Sequence, residues 1–275
     1  MTLFQAIILG IVEGLTEFLP VSSTGHLTIV EKMLGLPIDA TSITAFTAVI
    51  QVGAIVAVVI YFWSEIVLLV KAWFRGLFNA DKRSDPDYRL AWLVIIGSLP
   101  IVVVGFLARD LISGPLRSLW VVAFALIIWG GVMLLAEAVA KQDRGERDLT
   151  LTDSLLIGFA QCLALIPGVS RSGATISVGL MRGLDRVTAT KLAFLLGIPA
   201  LLGAGAYELP SALRGGVGWL PTLIGTLVSF VVAYASVAWL LKYVARHTID
   251  IFVWYRWALG AAIIVALSTG ALTAT

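Results

Sequence analysis

Apolar residues along this chain come in long unbroken runs. Six stretches, near residues 44–63, 90–108, 118–140, 188–207, 219–241 and 254–272, are each long enough to cross a hydrocarbon core of about 30 Å, which takes roughly 17–25 apolar residues. Each predicts a full transmembrane helix. Two further apolar regions, about 3–35 and 154–184, are interrupted near the middle, at Pro20-Val21-Ser22-Ser23-Thr24-Gly25 and at Pro167-Gly168-Val169-Ser170-Arg171-Ser172-Gly173. Half of either region is too short to span comfortably. Broken backbone at membrane depth is tolerated only where protein buries it or water lines it, so both regions predict re-entrant helical hairpins facing a cavity. The expected fold class is an all-α polytopic membrane protein, one membrane domain over residues 1–275.

The two broken regions resemble each other. At a shift of 148 residues and without gaps, Gly10 matches Gly158, Glu13 matches Gln161, Leu15 matches Leu163, Val21 matches Val169, Ser22 matches Ser170 and Gly25 matches Gly173. Three full spans separate the hairpins, an odd number, so they enter from opposite faces and the repeat is inverted, with halves of about 1–140 and 141–275. Basic residues agree with this arrangement. One face collects most of them, from Lys71, Arg75, Lys82 and Arg83 through Arg144, Arg182 and Arg186 to Lys242, Arg246 and Arg256; the other holds only Lys32, Arg109, Arg117 and Arg214. By the positive-inside rule the first face is cytoplasmic, which puts both termini and the first hairpin's opening on the outer side.

Composition narrows the function classes. With 59% hydrophobic and 13% charged residues and a mean hydropathy of +0.99, a water-soluble domain would expose very large apolar patches. The net charge of +2 is small and its bases sit in short connections, which excludes a nucleic-acid-binding surface. The lone Cys162 rules out an intramolecular disulfide and reads as a packed side chain. The first apolar run, Leu3 to Leu19, lacks a basic leading segment and carries Glu13 and Glu17, so it reads as part of the working protein. Small residues at Gly197, Gly203, Ala204, Gly205 and Ala206 invite close helix packing, inside a monomer or across a homodimer.

Ionisable groups at bilayer depth are costly and mark function, and the two breaks concentrate them. Glu13 and Glu17, four residues apart, share one helix face, and two carboxylates in a poorly solvated place call for a proton or a cation between them. Their hard oxygens favour Mg²⁺ or Ca²⁺. After Pro20, a helix restarting at Ser22, Ser23 and Thr24 aims backbone N–H groups at an anion. Spacings of three and four place His26 beside Ser23 and Ser22, a hydroxyl next to an imidazole, although serines at a helix start also serve as caps. In the second break Ser170, Arg171, Ser172, Gly173 and Thr175 bring a guanidinium, three hydroxyls and a second helix start, a set matched to phosphate oxygens. Together these residues suit an anionic lipid or a small anion.

The segments Glu13-Gly-Leu-Thr-Glu17-Phe-Leu-Pro20-Val-Ser22-Ser23-Thr-Gly25-His26 and Pro167-Gly168-Val-Ser170-Arg171-Ser172-Gly173-Ala-Thr175 resemble the two motifs of the undecaprenyl-pyrophosphate phosphatase family, also called the bacitracin-resistance protein family. The resemblance covers essentially the whole chain in length, hydropathy and motif order. It implies hydrolysis of undecaprenyl pyrophosphate to the monophosphate and inorganic phosphate, dependent on a divalent cation, in the bacterial cytoplasmic membrane, with an active site open to the outer face. Position by position it implicates Glu13 and Glu17 in metal binding and catalysis, Ser23 or His26 in the attack, and Ser170, Arg171, Ser172 and Thr175 in phosphate binding. The expected mechanism has Ser23 attacking the terminal phosphorus, His26 moving its proton, Glu17 orienting His26 or the cation and Arg171 stabilising the transition state; phosphorylation of His26 or direct attack by water fits the same residues. Two rivals remain. Inverted repeats with broken helices also build transporters, so a carrier or flippase of a phosphorylated lipid is the alternative. A phosphatase of another architecture would need a second catalytic histidine, and His247 sits in a basic connection beside Trp254, Tyr255 and Trp257, which read as an interfacial aromatic belt.

Overall fold

A computed structural model describes residues 1–37, 40–107, 118–214 and 217–274, without the side chains of residue 204 and of residues 206–214. Among the described residues the secondary structure is helical, and the only β-type pairing is a single bridge between Arg144 and Leu184. Six helices are long and apolar enough to cross a membrane: α3 (Thr41–Tyr61), α5 (Pro86–Leu107), α6 (Leu119–Val139), α9 (Arg186–Arg214, apolar over Arg186–Gly203), α10 (Trp219–Val244) and α11 (Asp250–Ser268). All six fall where the hydropathy runs predict them, and the chain is a multi-pass membrane protein. Side chains such as Phe4, Leu99, Val103, Ile128 and Val231 stand exposed on the outside of the bundle, the reverse of a water-soluble protein.

The two interrupted regions are pairs of short helices, α1 (Leu3–Thr16) with α2 (Ser23–Met33), and α7 (Leu151–Leu163) with α8 (Arg171–Met181). Their sequence explains their matching limits. Thr2 and Thr150 cap α1 and α7 through reciprocal bonds with Gln5 and Asp153, three residues on. Ser22 and Ser170 both stand just before the second helix with positive φ, 75° and 74°. One helix was not foreseen: α4 (Trp63–Phe78) continues directly from α3, and its Lys71 and Arg75 were counted only as bases of one membrane face. The orientation argument also used Arg109 and Arg117, which lie outside the described residues, and Arg214, whose side chain does.

Each short pair is anchored by a glycine on a long helix. A Cβ on Gly10 would stand 2.5 Å from the Gly225 carbonyl oxygen of α10, and one on Gly158 would stand 2.2 Å from the Gly97 carbonyl oxygen of α5. Only backbone against backbone allows helices this close. At the far end of α7, Asp153 is fully buried and accepts hydrogen bonds from Arg144, Thr150 and Arg182, the last at 2.7 Å. Burial alone would raise the Asp153 pKa; these donors outweigh it and hold the carboxyl below the usual carboxylate range. Glu137 of α6 likewise receives Arg186 at 2.7 Å and the Ile249 amide at 2.9 Å, while Lys191 pairs with Glu65 at 2.6 Å and with Glu146. These bonds tie the start of α7 to the end of α8, the end of α6 to the starts of α9 and α11, and α9 to α4.

Gly158→Ala forces α5 and α7 apart and is expected to cost about 1–3 kcal/mol of stability, the range for overpacked interiors. Gly131→Ala is the control, since nothing lies within 4 Å of a Cβ there. Thermal unfolding in detergent should show a lower midpoint for the first and an unchanged or slightly higher one for the second.

Candidate active site

α1 ends at Thr16 with Glu17 as its cap, a turn runs from Phe18 to Val21, and α2 restarts at Ser23. Phe18 is fully buried against Phe194 of α9, ring centroids 5.3 Å apart, which fixes the turn in the protein interior. Ser22 and Ser170 hold left-handed backbone conformations that non-glycine residues seldom adopt, and such strain gathers at functional sites. Contacts between the breaks hold it. Ser22 Oγ accepts from the Gly168 amide at 3.1 Å, and Ser172 Oγ donates to the Leu19 carbonyl at 3.0 Å. Ser170 Oγ accepts from the Gly173 amide at 3.2 Å and lies 3.1 Å from Ser172 Oγ, while Thr175 Oγ1 donates back to the Arg171 carbonyl at 2.8 Å.

The charged groups meet between the breaks. Glu17 Oε1 accepts from Arg171 Nη2 at 3.0 Å, and Glu17 Oε2 accepts from the Ser23 hydroxyl at 2.6 Å. Two buried polar atoms nearby have no hydrogen-bond partner, Arg171 Nη1 as a donor and Glu13 Oε1 as an acceptor. An unsatisfied buried donor and acceptor cost free energy unless a ligand completes them. Room for the guanidinium comes from Gly197 on α9, where a Cβ would fall 2.2 Å from Arg171 Nη1. That glycine is therefore used inside the chain, whereas Gly203 has nothing within 4 Å. Glu13 and Ser23 also border a cavity of about 220 Å³.

Of the residues singled out from sequence, Glu13, Glu17, Ser22, Ser23, Ser170, Arg171, Ser172, Gly173 and Thr175 come together at the paired breaks. The Ser23–His26 contact suggested by spacing is not made. His26 Nδ1 lies 2.7 Å from the Ser22 carbonyl, which can only accept, so Nδ1 carries the proton; Nε2 then accepts from the Tyr255 hydroxyl at 2.6 Å, and the two rings stack with planes 9° apart. The group touching the Ser23 hydroxyl is Glu17. His247 is exposed, stacked on Tyr243, and belongs to no site with His26.

Arg256 is the residue sequence reasoning misplaced. Counted with the bases of one membrane face, it lies six residues into α11, about 9 Å along the axis, and is fully buried. It donates to the carbonyls of Pro20 at 3.1 Å and Gly168 at 2.7 Å, one from each break, and to Ala125 and Leu126 of α6. Trp257, donating to the Ile127 carbonyl at 2.9 Å, likewise makes an interior contact; Tyr255, bonded to His26, and Trp254 both stay exposed. The available signal was a base inside the apolar run 254–272, which would not be spent on an interface.

Comparison with known proteins decides the family. The family model described as bacitracin resistance protein BacA matches residues 6–262. The chain belongs to that family. It is 56% identical over 270 residues to a Streptomyces avermitilis protein named undecaprenyl-diphosphatase 1, covering 98% of each chain. A protein of the same name from Streptomyces coelicolor is 57% identical over 98% of this chain and 97% of its own. Undecaprenyl-diphosphatase 3 of Frankia casuarinae is 54% identical over the full length of both. Both interrupted helix pairs lie in the shared BacA region, the second entirely and the first from Ala6 onward.

Arg256→Gln removes a charged fork from four backbone carbonyls. With hydrogen bonds to a charged group worth about 1.5–3 kcal/mol each, the variant is expected to unfold roughly 3 kcal/mol more easily and to lose activity with it. Unfolding in detergent, measured beside Arg246→Gln on the exposed connection, checks this; equal midpoints for the two variants would contradict it.

Proposed function

We propose that this protein hydrolyses undecaprenyl diphosphate to undecaprenyl phosphate and inorganic phosphate, recycling the lipid carrier of cell-wall synthesis and so conferring bacitracin resistance. The names of its full-length relatives support the substrate. The observation that carries the chemistry is Glu17, which holds a hydroxyl from one break and a guanidinium from the other, beside one unpartnered donor and one unpartnered acceptor.

In this reading Ser23 Oγ attacks the terminal phosphorus in line while its proton passes to Glu17 Oε2. The bond from phosphorus to the bridging oxygen breaks, and undecaprenyl phosphate leaves with that oxygen and takes up the proton. Water then attacks the phosphoserine, with Glu17 accepting its proton; the bond from phosphorus to Ser23 Oγ breaks, Glu17 returns the proton to that oxygen, and inorganic phosphate is released. Arg171 Nη1 meets the phosphoryl oxygens as charge develops, helped by the amides at the start of α8. His26 and Arg256 hold the break geometry and do not touch the phosphate.

A divalent cation, Mg²⁺ or Ca²⁺, fits this donor set through the free Glu13 oxygen, with Glu17 adjoining. Among the described residues no three His, Cys, Asp or Glu side chains converge, so hydroxyls, water and phosphate oxygens would complete its shell. When bound it would neutralise phosphate charge.

The architecture we infer is an inverted repeat of two re-entrant pairs in the bacterial cytoplasmic membrane, termini and site opening outward. Support comes from the matched helix limits, the matched positive φ at Ser22 and Ser170, the equivalent glycine contacts of Gly10 and Gly158, and the bias of Lys and Arg to one face.

The test is phosphate release from undecaprenyl or farnesyl diphosphate by purified protein in detergent, where no compartments exist and transport cannot contribute. Release should stop with EDTA, and Ser23→Ala, Glu17→Gln and Arg171→Ala should each lose about 100-fold or more, at least ~2.7 kcal/mol of transition-state stabilisation. Absence of release by folded wild-type protein with either cation would overturn the proposal, and full activity of Ser23→Ala would remove Ser23 as nucleophile.

A further inference from the structure

Beyond Glu13 and Ser23 the cavity continues away from the paired breaks between α2 and α3, two helices whose polar residues repeat at helical spacing. From α2 come Thr24, Thr28 and Glu31; from α3 come Thr44, Thr47 and Gln51. Eight residues separate Ser23 from Glu31, about 12 Å along the helix. The outer end lies level with the first turn of α1, where Gln5 Nε2 donates to the Leu34 carbonyl at 3.2 Å. α3 is otherwise a transmembrane helix, so a stripe of two threonines and a glutamine on it calls for a polar occupant.

The lining specifies the sign of that occupant. Ser23 gives its proton to Glu17, Thr28 gives its own to the Thr24 carbonyl at 2.9 Å, and Thr47 gives its own to the Thr44 carbonyl at 2.9 Å. A hydroxyl has one proton and two lone pairs, so these side chains offer the cavity oxygen lone pairs. Carboxylates stand toward both ends, Glu13 and Glu31, and no Lys, Arg or His lines the cavity among the described residues. The second, independent mark is Glu13 itself, 1% exposed, with Oε1 unpartnered.

We propose that this cavity is the loading route of a divalent cation, in which Glu31, Thr47 and Gln51 recruit hydrated Mg²⁺ or Ca²⁺ and pass it to Glu13. The inference rests on the cation requirement proposed above. Hard oxygen ligands arranged in sequence suit ions that shed water stepwise.

The test is the rate of Mn²⁺ uptake by the full-length protein in detergent after rapid mixing, without substrate, followed by electron paramagnetic resonance. Glu31→Gln and the isosteric Thr47→Val are expected to slow Mn²⁺ uptake at least 5-fold, Glu13→Gln to abolish binding, and Asp81→Asn, on the exposed 3-10 turn after α4, to leave uptake unchanged. Wild-type uptake rates in both Glu31→Gln and Thr47→Val, with Glu13→Gln still deficient, would overturn the loading route and leave the inner site standing. If wild-type protein bound no Mn²⁺ at all, the cation reading of the active site would fall together with the route.

Discussion

A carboxylate and a guanidinium buried in a membrane protein are tolerable only as partners, because either one alone would be an uncompensated charge in a medium that cannot solvate it. Glu17 and Arg171 are that pair, their side chains 6% and 11% exposed and 3.0 Å apart. They come from different helix breaks 154 residues apart in sequence. Each break is a place where backbone hydrogen bonding lapses, so neither would be stable at depth by itself. The ion pair, the Ser22–Gly168 and Ser172–Leu19 hydrogen bonds and the Arg256 fork supply what the helices cannot.

Chemistry follows from the asymmetry between the breaks. Positions 148 residues apart carry Glu13 against Gln161, Ser23 against Arg171 and His26 against Ala174. One pair of helices thus supplies the carboxylates and the Ser23 hydroxyl, the other the guanidinium. Bringing them together makes a site with acceptor and donor sides, which is what a phosphoryl group and its counter-ion require. Gly10 and Gly158 let α1 and α7 lie against α10 and α5, and Gly197 leaves the space the guanidinium fills.

Much of this was legible in the sequence because the bilayer imposes coarse rules. Twenty-residue apolar runs become spans, and Pro, Gly and Ser in mid-run become breaks. The site residues were findable for the same reason, since polar side chains at depth are expensive. What escaped had ambiguous local signals. Arg256 sits among Trp254, Tyr255 and Trp257 near the start of a span, a pattern shared by interfacial belts, and only its four carbonyl partners from three distant segments reveal an interior clamp. α4 was hidden by its own charges. Spacing within α2 put Ser23 beside His26, but spacing ignores the preceding turn, which returns Glu17 to Ser23 and leaves His26 to the Ser22 carbonyl and Tyr255.

The measurement that bears most directly on the central claim is a double-mutant cycle of Glu17→Gln and Arg171→Gln on unfolding free energy in detergent, without substrate or cation. If the pair joins the two breaks, each single variant strands a buried charge and the double variant recovers part of the loss, giving a coupling above about 1 kcal/mol. Losses that add within about 0.5 kcal/mol would mean the two side chains do not depend on each other, and the joined-break account would be wrong.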